Sequence, residues 1–447
     1  MGIELKWDVD AADEQTQPGA VGSRGRRRPW KGLARLVFLF LVLALVAAGF
    51  YLRLREVDAQ QANLLRASVE AEITALRLGD VQAYQKFQDS EDPARQLVWR
   101  EMFDAWQVRK LESNALGGEI VALAISGEVA WVQIEEIING EDWLHTWFYR
   151  RSGDAWRHVS PQAGWRGHAR SHRAGGLRID YDDIDAPLVA ALAPLLESWL
   201  ENACRFLNCA ANPALNVQIL ARPGAAVWST ADSWLLLLPS PRAGLVRGDE
   251  ALSAGLRAEI AKLLAGRLVR ETAGQPGPDW SREAGWLHAS AGAWLADRLL
   301  QRDSGQHLLQ SLSANYGDDA LSALIEGLGP GVTLDLVAQV TAEPDLHETA
   351  LDWRDLLTWQ LEQESVTRLA GDSDGFLALY DLRDDALGVL ARARLVAGEF
   401  IGPPSIEEVT PVSAAGGSAL LRARVRDDSG AVSVFFRLVE GRWLRAS

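Results

Sequence analysis

The sequence predicts a multidomain α+β protein with one membrane-spanning helix near its N-terminus. Three observations lead to this prediction. A cluster of arginines is followed by an uncharged apolar run, the apolar period changes from helical to alternating along the chain, and one plan of helices followed by alternating strands occurs twice. With 447 residues, the chain is long enough for two to four domains.

The membrane-spanning helix is predicted at residues 36–52, LVFLFLVLALVAAGFYL, which carry no charge. At about 1.5 Å per residue they cover roughly 25 Å, and the stems of flanking arginines can extend this to the thickness of a bilayer core. The preceding basic segment, RGRRRPWKGLAR, predicts that residues 1–35 form a disordered cytosolic tail and that the rest of the chain lies outside the cytosol. A cleaved signal peptide is the alternative, although no A-x-A site follows the apolar run.

Composition also limits the partners. The net charge of −15 argues against nucleic acid, because phosphate binding requires clustered Lys and Arg. The expected partners are the membrane, through a single helix, and an unidentified peptide or protein. The expected location is the cell membrane, with the N-terminus in the cytosol and the bulk of the chain extracytoplasmic.

Cys204 and Cys209 are the only cysteines in the chain. Outside the cytosol they face an oxidising space, so a disulfide is favoured, and closing a loop of about six residues would stabilise the fold by roughly 2 kcal/mol. Positions five apart point to different sides of a helix, so the helix must end between them. Two buried thiols are the alternative.

Residues 57–160 are predicted to form the first α+β domain. Apolar residues at helical spacing precede Gly79, Asp80 is placed to cap a second helix, and from Gly118 onward apolar and polar residues alternate. Glycine-containing turns join the alternating segments into an antiparallel meander. The apolar helix positions are Leu64, Leu65, Val69, Ile73 and Leu76, and the turns lie at 126–127, 139–140 and 152–153.

Residues 364–447 repeat this plan. GDVQAYQKFQDSEDPA, at 79–94, aligns without gaps to GDSDGFLALYDLRDDA, at 371–386. Near the end of each segment, an arginine also precedes a tryptophan by six residues. The matches predict two copies of one fold, with chance similarity as the alternative. The arginine and tryptophan pairs are Arg150 with Trp156 and Arg437 with Trp443.

This shared plan, which opens on Gly-Asp followed by Ala-Tyr in the first copy, resembles the cone-shaped fold of the nuclear-transport-factor-like superfamily. The resemblance implies a curved sheet that wraps around a helix and often leaves a pocket. Some members of that superfamily are enzymes, and many only bind or dimerise. His145 and His158 fall in predicted strands and not in an Asp/His pair placed for acid–base chemistry, so a structural role is expected for both.

Residues 175–363 read as a strand, an amphipathic helix, short strands and then long helices. Two of these helices contain LRAEIAKLL and WLHASAGAWL, and they resemble the zinc-ligand helices of the gluzincins, the thermolysin-like zinc peptidases. The family pattern H-E-x-x-H aligns to Ala258, Glu259 and Lys262, and the third ligand, a glutamate, aligns to Ala289. The resemblance implies a zincin-like domain, mostly helical with a small sheet, that lacks all three zinc ligands.

A catalytic zinc site requires three protein donors, and H-E-x-x-H supplies two because residues four apart share a helix face. Alanine has no donor atom, and a lysine ammonium has no free lone pair. The aligned residues therefore predict no metal, no cofactor and no catalytic residue at this place. Glu259 and Lys262 are expected to pair in the former cleft, with Trp286 and His288 as further lining residues. An ordinary helix pair whose apolar stripe happens to match is the alternative.

Three other motifs are weaker candidates. His168 and His172 are four apart, but their Gly- and Arg-rich surroundings predict a connector between domains. The segment DYDDID, at 180–185, lacks the glycine and the closing glutamate of an EF-hand loop, so it predicts a solvated turn. Ser290 lacks the first glycine and the preceding strand of a nucleophile elbow.

Together these features predict a membrane-anchored extracytoplasmic protein with an inactive peptidase-like domain and a binding or scaffold role at the cell surface. Two alternatives stay open. One is an active surface hydrolase or peptidase with a site of unrecognised sequence. The other is a purely architectural protein whose domains only pack together or dimerise.

Overall fold

Helices and antiparallel strands occur together along the chain, which confirms the predicted α+β class. The chain divides into two compact units, residues 1–64 and 65–447. Residues 1–29 of the expected cytosolic tail lie outside the described residues, as does Asn139 of a predicted turn. The computed structural model describes residues 30–112, 116–138, 140–163, 165–222, 224–248, 250–397, 405–413, 419–427 and 430–446.

Helix α1 (Trp30–Leu78) contains the apolar run. Its part from Leu36 onward is long and apolar enough to cross a membrane, and its most apolar window is 0% buried. A signal sequence can have the same length and composition. The helix does not end at residue 52, because residues 53–64 contain no glycine or proline that would break it. The predicted domain boundary at residue 57 therefore falls inside α1.

The second unit begins with an α+β domain whose strands form an antiparallel meander, as expected. Four of the five apolar helix positions are buried, but Leu64 is 41% exposed because it lies outside the buried stripe of α1. The elements after α1 are α2 (Val81–Lys86), α3 (Pro93–Glu112), β1 (Leu116–Ser126), β2 (Val129–Ile138), β3 (Glu141–Ser152) and β4 (Ala155–Val159).

The middle region begins with a mixed sheet. Strands β6, β7 and β9 are parallel, and the short antiparallel strands β5 and β8 form its two edges. Strand β5 corrects the expected connector, because ARSHRA and LRIDYD pair across a turn in which Gly175 has φ +53°. The elements are β5 (Ala169–Ala174), β6 (Leu177–Asp182), α4 (Ala186–Phe206), β7 (Leu215–Leu220), β8 (Val227–Trp228) and β9 (Leu235–Pro239).

Helix α4 ends at Phe206, between the two cysteines. Cys204 and Cys209 form a disulfide, with their Cα atoms 4.9 Å apart. Asn208 adopts φ +50°, which turns the chain back toward the helix end. The chain reversal is therefore what brings two residues from different sides of a helix together.

A short strand from the middle region, β10 (Leu245–Arg247), completes the first sheet. It pairs with the start of β3, where Leu245 lies opposite His145 and Arg247 lies opposite Trp143. The end of β3 pairs with β4 on the same side. The first α+β domain and the middle region are thus joined by backbone hydrogen bonds, which no sequence pattern predicted.

The rest of the middle region is helical. Ser253 and Ser281 cap α5 and α6 by accepting hydrogen bonds from backbone N–H groups. The predicted boundary at 363/364 falls inside α10, whose last turns belong to the second α+β domain. The helices are α5 (Ala254–Ala273), α6 (Arg282–Leu299), α7 (His307–Tyr316), α8 (Asp318–Gly327), α9 (Asp335–Thr341) and α10 (Arg354–Leu369).

The C-terminal α+β domain has the same order of elements as the first. Its strands form the antiparallel sheet β11-β12-β13-β14. The elements after α10 are α11 (Ser373–Leu377), α12 (Asp385–Ala397), β11 (Ser405–Ser413), β12 (Ala419–Asp427), β13 (Gly430–Val439) and β14 (Arg442–Ala446).

The two α+β domains form the same contacts at matching positions. In each, an aspartate caps the short helix, an arginine of the third strand binds an aspartate at 2.6 Å, and a residue shortly after the short helix forms a bridge to the last strand. These contacts fix the last strand against the helices in both domains. They are the caps Asp80 and Asp372, the ion pairs Arg150–Asp89 and Arg437–Asp381, and the bridges Gln88–His158 and Tyr380–Arg445.

The turn between β13 and β14 docks on the middle region. Leu334 donates a backbone hydrogen bond to the Gly441 carbonyl at 2.9 Å. Gly441 has φ +69°, and a Cβ placed on it would collide with Thr333 and Asp335. Only glycine satisfies both the backbone conformation and the close approach.

We expect Gly441→Ala to lower the free energy of unfolding by about 2 kcal/mol or more, through backbone strain and the collision together. Gly153→Ala is the matched control, since Gly153 has φ +63° in the corresponding turn but nothing within 4 Å of its added Cβ. The control is expected to lose only about 1 kcal/mol. Urea denaturation of both variants measures the difference, and equal losses would contradict the docked turn.

Candidate functional site

The helices that carry the peptidase-like motif, α5 and α6, pack closely. A Cβ added to Gly292 of α6 would lie 3.5 Å from the Gly266 Cα of α5. One turn earlier on α6, His288 interacts with Arg270 and with the backbone of Gly274 at the end of α5. Residues nearer the start of α6 therefore contact residues nearer the end of α5, so the two helices run antiparallel.

This register separates the motif positions. From the Gly266–Gly292 contact, Lys262 lies about 6 Å toward the start of α5, and Ala289 lies about 4.5 Å in the opposite direction. The two are therefore about 10 Å apart along the helix pair, and Ala258 is a further turn away. The residue on α6 that the register places opposite Lys262 is Ala296, which also lacks a donor atom. The structure does not bring the three aligned ligand positions together.

Glu259 has a structural hydrogen bond. Its Oε1 accepts from the Ala226 backbone N–H at 3.0 Å, and the Trp228 indole donates to the Leu263 carbonyl at 3.3 Å. Both contacts attach the edge strand β8 to α5. Lys262 is exposed and forms no ion pair with Glu259 in the described part of the chain, so the expected pairing is wrong. The physical reason is that a strand N–H, and not the ammonium, reaches the carboxylate.

The other expected cleft residues contact aromatic rings. The Trp286 ring lies 6.0 Å from Trp359, and the His288 ring lies 5.6 Å from Trp280. Burial lowers the pKa of His288, and its Nε2 has no hydrogen-bond partner. Among the described residues, no group of three or more His, Cys, Asp and Glu side chains is placed to hold a metal ion.

The weaker candidates also lie in structural contacts. His168 Nδ1 is 3.2 Å from Asp183, whose pKa is lowered to about 2, mainly by Arg170. Burial raises the pKa of Asp185 to about 6, although the Ser240 hydroxyl donates to it at 2.6 Å. Ser290 is buried in the middle of α6. His172 lies in β5, four residues after His168, and not on a helix.

A buried polar network in the first α+β domain was missed by sequence reasoning. Glu72 of α1 is 0% exposed and accepts hydrogen bonds from Gln88 at 2.9 Å and Tyr149 at 2.8 Å. His158 Nδ1 lies 2.8 Å from the same carboxylate. Arg95 donates to Gln88 and to the Tyr84 hydroxyl. A glutamate within an otherwise apolar helical stripe was the one signal that pointed to this network.

The network resembles acid–base machinery only in its residue types. Its six side chains are at most 5% exposed, so a substrate cannot reach them. Burial lowers the pKa of His158 to about 4, with Arg95 disfavouring a second cation. The pKa of Glu72 is also lowered, because its hydrogen bonds and nearby cations outweigh burial. The stable state is therefore an ionised Glu72 that accepts a hydrogen bond from a neutral His158.

An open pocket lies in the C-terminal α+β domain. It has a volume of about 330 Å³ and lies between α12 and the strands β13 and β14. Ala386, Leu387 and Leu390 line it from the helix, and Val434, Phe435 and Arg445 line it from the strands. Its wall is mainly apolar, with Arg445 as the one charged lining residue.

Comparisons with known proteins add no relative. No protein-family model matches the chain, and neither a curated protein nor a solved structure is significantly similar to it.

The role of Glu259 can be tested by substitution. We expect Glu259→Ala to lower the free energy of unfolding by about 1–2 kcal/mol, because it leaves the Ala226 N–H without its acceptor. Glu259→Gln retains an oxygen acceptor and is expected to lose less. Lys262→Ala, at an exposed position, is the control and should stay within about 0.5 kcal/mol of the wild type. A larger loss for Lys262→Ala than for Glu259→Ala in urea denaturation would contradict this assignment.

The buried network predicts a pH dependence. In the folded state the pKa of His158 is about 4, below its ordinary value of 6.5, so the unfolded chain binds more protons between these values. The His158 contribution to stability is therefore full above about pH 6.5 and is lost as the pH falls toward 4. His158→Gln retains a donor for Glu72 without titrating, so it should flatten this part of the profile. Unfolding free energies measured from pH 7 to 4 provide the test, and identical profiles would refute the assignment.

Proposed function

We propose that this chain is a single-pass membrane protein whose folded part lies outside the cytosol and acts, without hydrolysis, as a scaffold that presents binding domains. The observation that carries the proposal is the hydrogen bond that Glu259 accepts from the Ala226 N–H, directly before the edge strand β8, at the position where a peptidase would need a free general base. The expected partner is a peptide or a protein at the cell surface.

Three features support the location. The apolar part of α1 has the length and composition of a membrane span. The arginine-rich segment before it favours an N-terminus in the cytosol. The Cys204–Cys209 disulfide is the form that an oxidising compartment maintains.

Donor chemistry supports the absence of zinc hydrolysis. The aligned positions hold two alanines and a lysine, and the antiparallel register of α5 and α6 separates them. From the resemblance to gluzincins, we also propose that the middle region is a peptidase-like fold that has lost its zinc ligands. The resemblance to cone-fold proteins likewise proposes the two α+β domains as the binding modules.

The scaffold role draws support from the contacts between regions of the second unit. Strand β10 completes the sheet of the first α+β domain. Arg442 of the second α+β domain binds the buried Glu283 of α6 at 2.8 Å. Arg282, beside it, donates to the Gly375 carbonyl at 3.1 Å. The middle region thus holds both flanking domains through specific polar contacts.

Purified full-length protein tests the absence of hydrolysis. Mass-spectrometric metal analysis should find far less than one zinc atom per chain, and peptidase and esterase activity should be absent with or without a chelator. Stoichiometric zinc, or turnover that a chelator removes, would overturn the proposal. Glu259→Gln is the control for any residual turnover, since a hydrolase that used Glu259 as its base would lose activity.

Location requires a separate test. Cysteine-directed labelling of intact cells should show that Cys204 and Cys209 are protected by their disulfide. After reduction, both cysteines should be reachable from outside, and permeabilised cells provide the comparison. The chain should stay in the membrane after alkaline washing. Release of the intact folded part would instead indicate a cleaved signal sequence.

A further inference from the structure

The two α+β domains differ in the size of the side chains that lie between helix and sheet. The gapless alignment that matches Gly79 to Gly371 also matches Arg95 to Leu387, and the match of Arg150 to Arg437 places Val434 at the position of Trp147. Two large side chains of the first domain are therefore replaced by smaller ones. Both replacements line the 330 Å³ pocket.

The packing of the cores shows the effect of these replacements. In the first domain, Phe103 and Trp106 of α3 belong to the same buried cluster as Trp147 and the other sheet residues. In the C-terminal domain, Leu387 and Ala391 of α12 form a small cluster with α11, and Val434 belongs to a different one. Helix and sheet residues thus share one buried cluster in the first domain, whereas in the C-terminal domain α12 and the sheet belong to two clusters and line the pocket between them.

The charged groups around the pocket also differ. Glu364 matches Glu72, but its partners are Arg445, through Nη1 at 2.7 Å, and Arg394, at 3.8 Å. Two guanidinium groups therefore surround one carboxylate. The Nε and Nη2 groups of Arg445 donate no hydrogen bond to any residue that the structure describes, and the guanidinium lies over the Tyr380 ring, 5.6 Å from its centroid.

We infer that this pocket binds a small aliphatic carboxylic acid, with the chain between α12 and the sheet and the carboxylate at Arg445. The volume is at the lower end of the range for ligand pockets, which suits a medium-length chain. The excess positive charge and the free guanidinium donors select an anionic oxygen head group. Leu390 of α12 lines the pocket and is 46% exposed, so it provides an apolar entrance.

This inference goes beyond the scaffold role proposed above, because it adds a small-molecule ligand to the expected peptide or protein partner. The two can fail separately. A chain that hydrolysed peptides could still bind the acid, and a chain without the pocket ligand could still lack zinc.

The test uses the full-length chain in membranes and octanoic acid that carries a photoreactive diazirine, with the matching alcohol as the head-group control. Labelling by the acid should saturate, should be displaced by unlabelled octanoate, and should map to peptides that contain Leu387 to Leu390 and Val434. The alcohol should label the same peptides more weakly. Absence of saturable labelling, or equal labelling by acid and alcohol, overturns the inference.

Substitutions locate the site. Val434→Trp restores the side chain of the first domain, and Leu390→Trp narrows the entrance at a residue that is 46% exposed and therefore tolerant of change. Each should reduce labelling at least about fivefold. Val396→Trp is the matched control, because Val396 is 86% exposed on the same helix and does not line the pocket. Equal labelling of the wild type, Leu390→Trp and the control would refute the site, even if Val434→Trp failed to fold.

Arg445→His tests the head group. Histidine is the residue that partners the matching carboxylate in the first domain, so Glu364 retains a partner while the free guanidinium donors are removed. Labelling by the acid should fall at least about threefold, and labelling by the alcohol should stay unchanged. Loss of both would assign Arg445 to the support of the fold and overturn its role as the carboxylate ligand.

Discussion

A carboxylate largely removed from water on the first helix of each α+β domain must have partners, and this constraint organises both domains. Glu72 is fully buried and the Glu364 side chain is 12% exposed, so an unpaired charge would be costly at both positions. Each takes its main partner from the last strand, His158 or Arg445. The contact therefore fixes the helix to the strand that closes the meander, and the short helix and its aspartate cap are held between them.

The two domains supply partners for this carboxylate in different ways. This difference accounts for the packed interior of the first domain and the pocket in the C-terminal domain. In the first domain a neutral histidine supplies one hydrogen bond, and tyrosine, glutamine and Arg95 complete a dry network. In the C-terminal domain two arginines supply charge, and leucine and valine replace the large side chains that would fill the layer. The first domain is therefore a packed structural module, whereas the second retains a concave apolar surface with unused donors.

The middle region contacts both α+β domains. The contacts are made by backbone and side-chain groups at the ends of its helices and strands. The edge strand β8 is held by Glu259, the strand β10 enters the first sheet, and Glu283 at the start of α6 binds the second α+β domain. A carboxylate that pattern matching associates with catalysis thus serves to satisfy a backbone N–H. Residue type alone cannot distinguish these roles, because both require an ionised oxygen at the same position of a helix.

Sequence periodicity was sufficient for most of the elements, although not for the strands β5 and β10. The helical stripe ending at Leu76, the meander after Gly118 and the helix end between the cysteines all follow from local rules of spacing, turns and caps. The predicted domain limits at 57 and 364 fall inside α1 and α10, because one helix can pack against two parts of the chain. A helical period does not mark the residue at which one packing partner replaces another. The pairing of Glu259 with Lys262 was wrong because a strand from elsewhere in the chain competed for the carboxylate.

What the sequence by itself determined is the α+β composition, the apolar helix and the recurrence of one plan, since these depend on residues close together in the chain. Only the tertiary structure decided which carboxylates are buried, which strand completes the first sheet and which interior is open. Those outcomes depend on residues that are far apart in sequence and become neighbours only when the layers pack, so no local pattern could specify them.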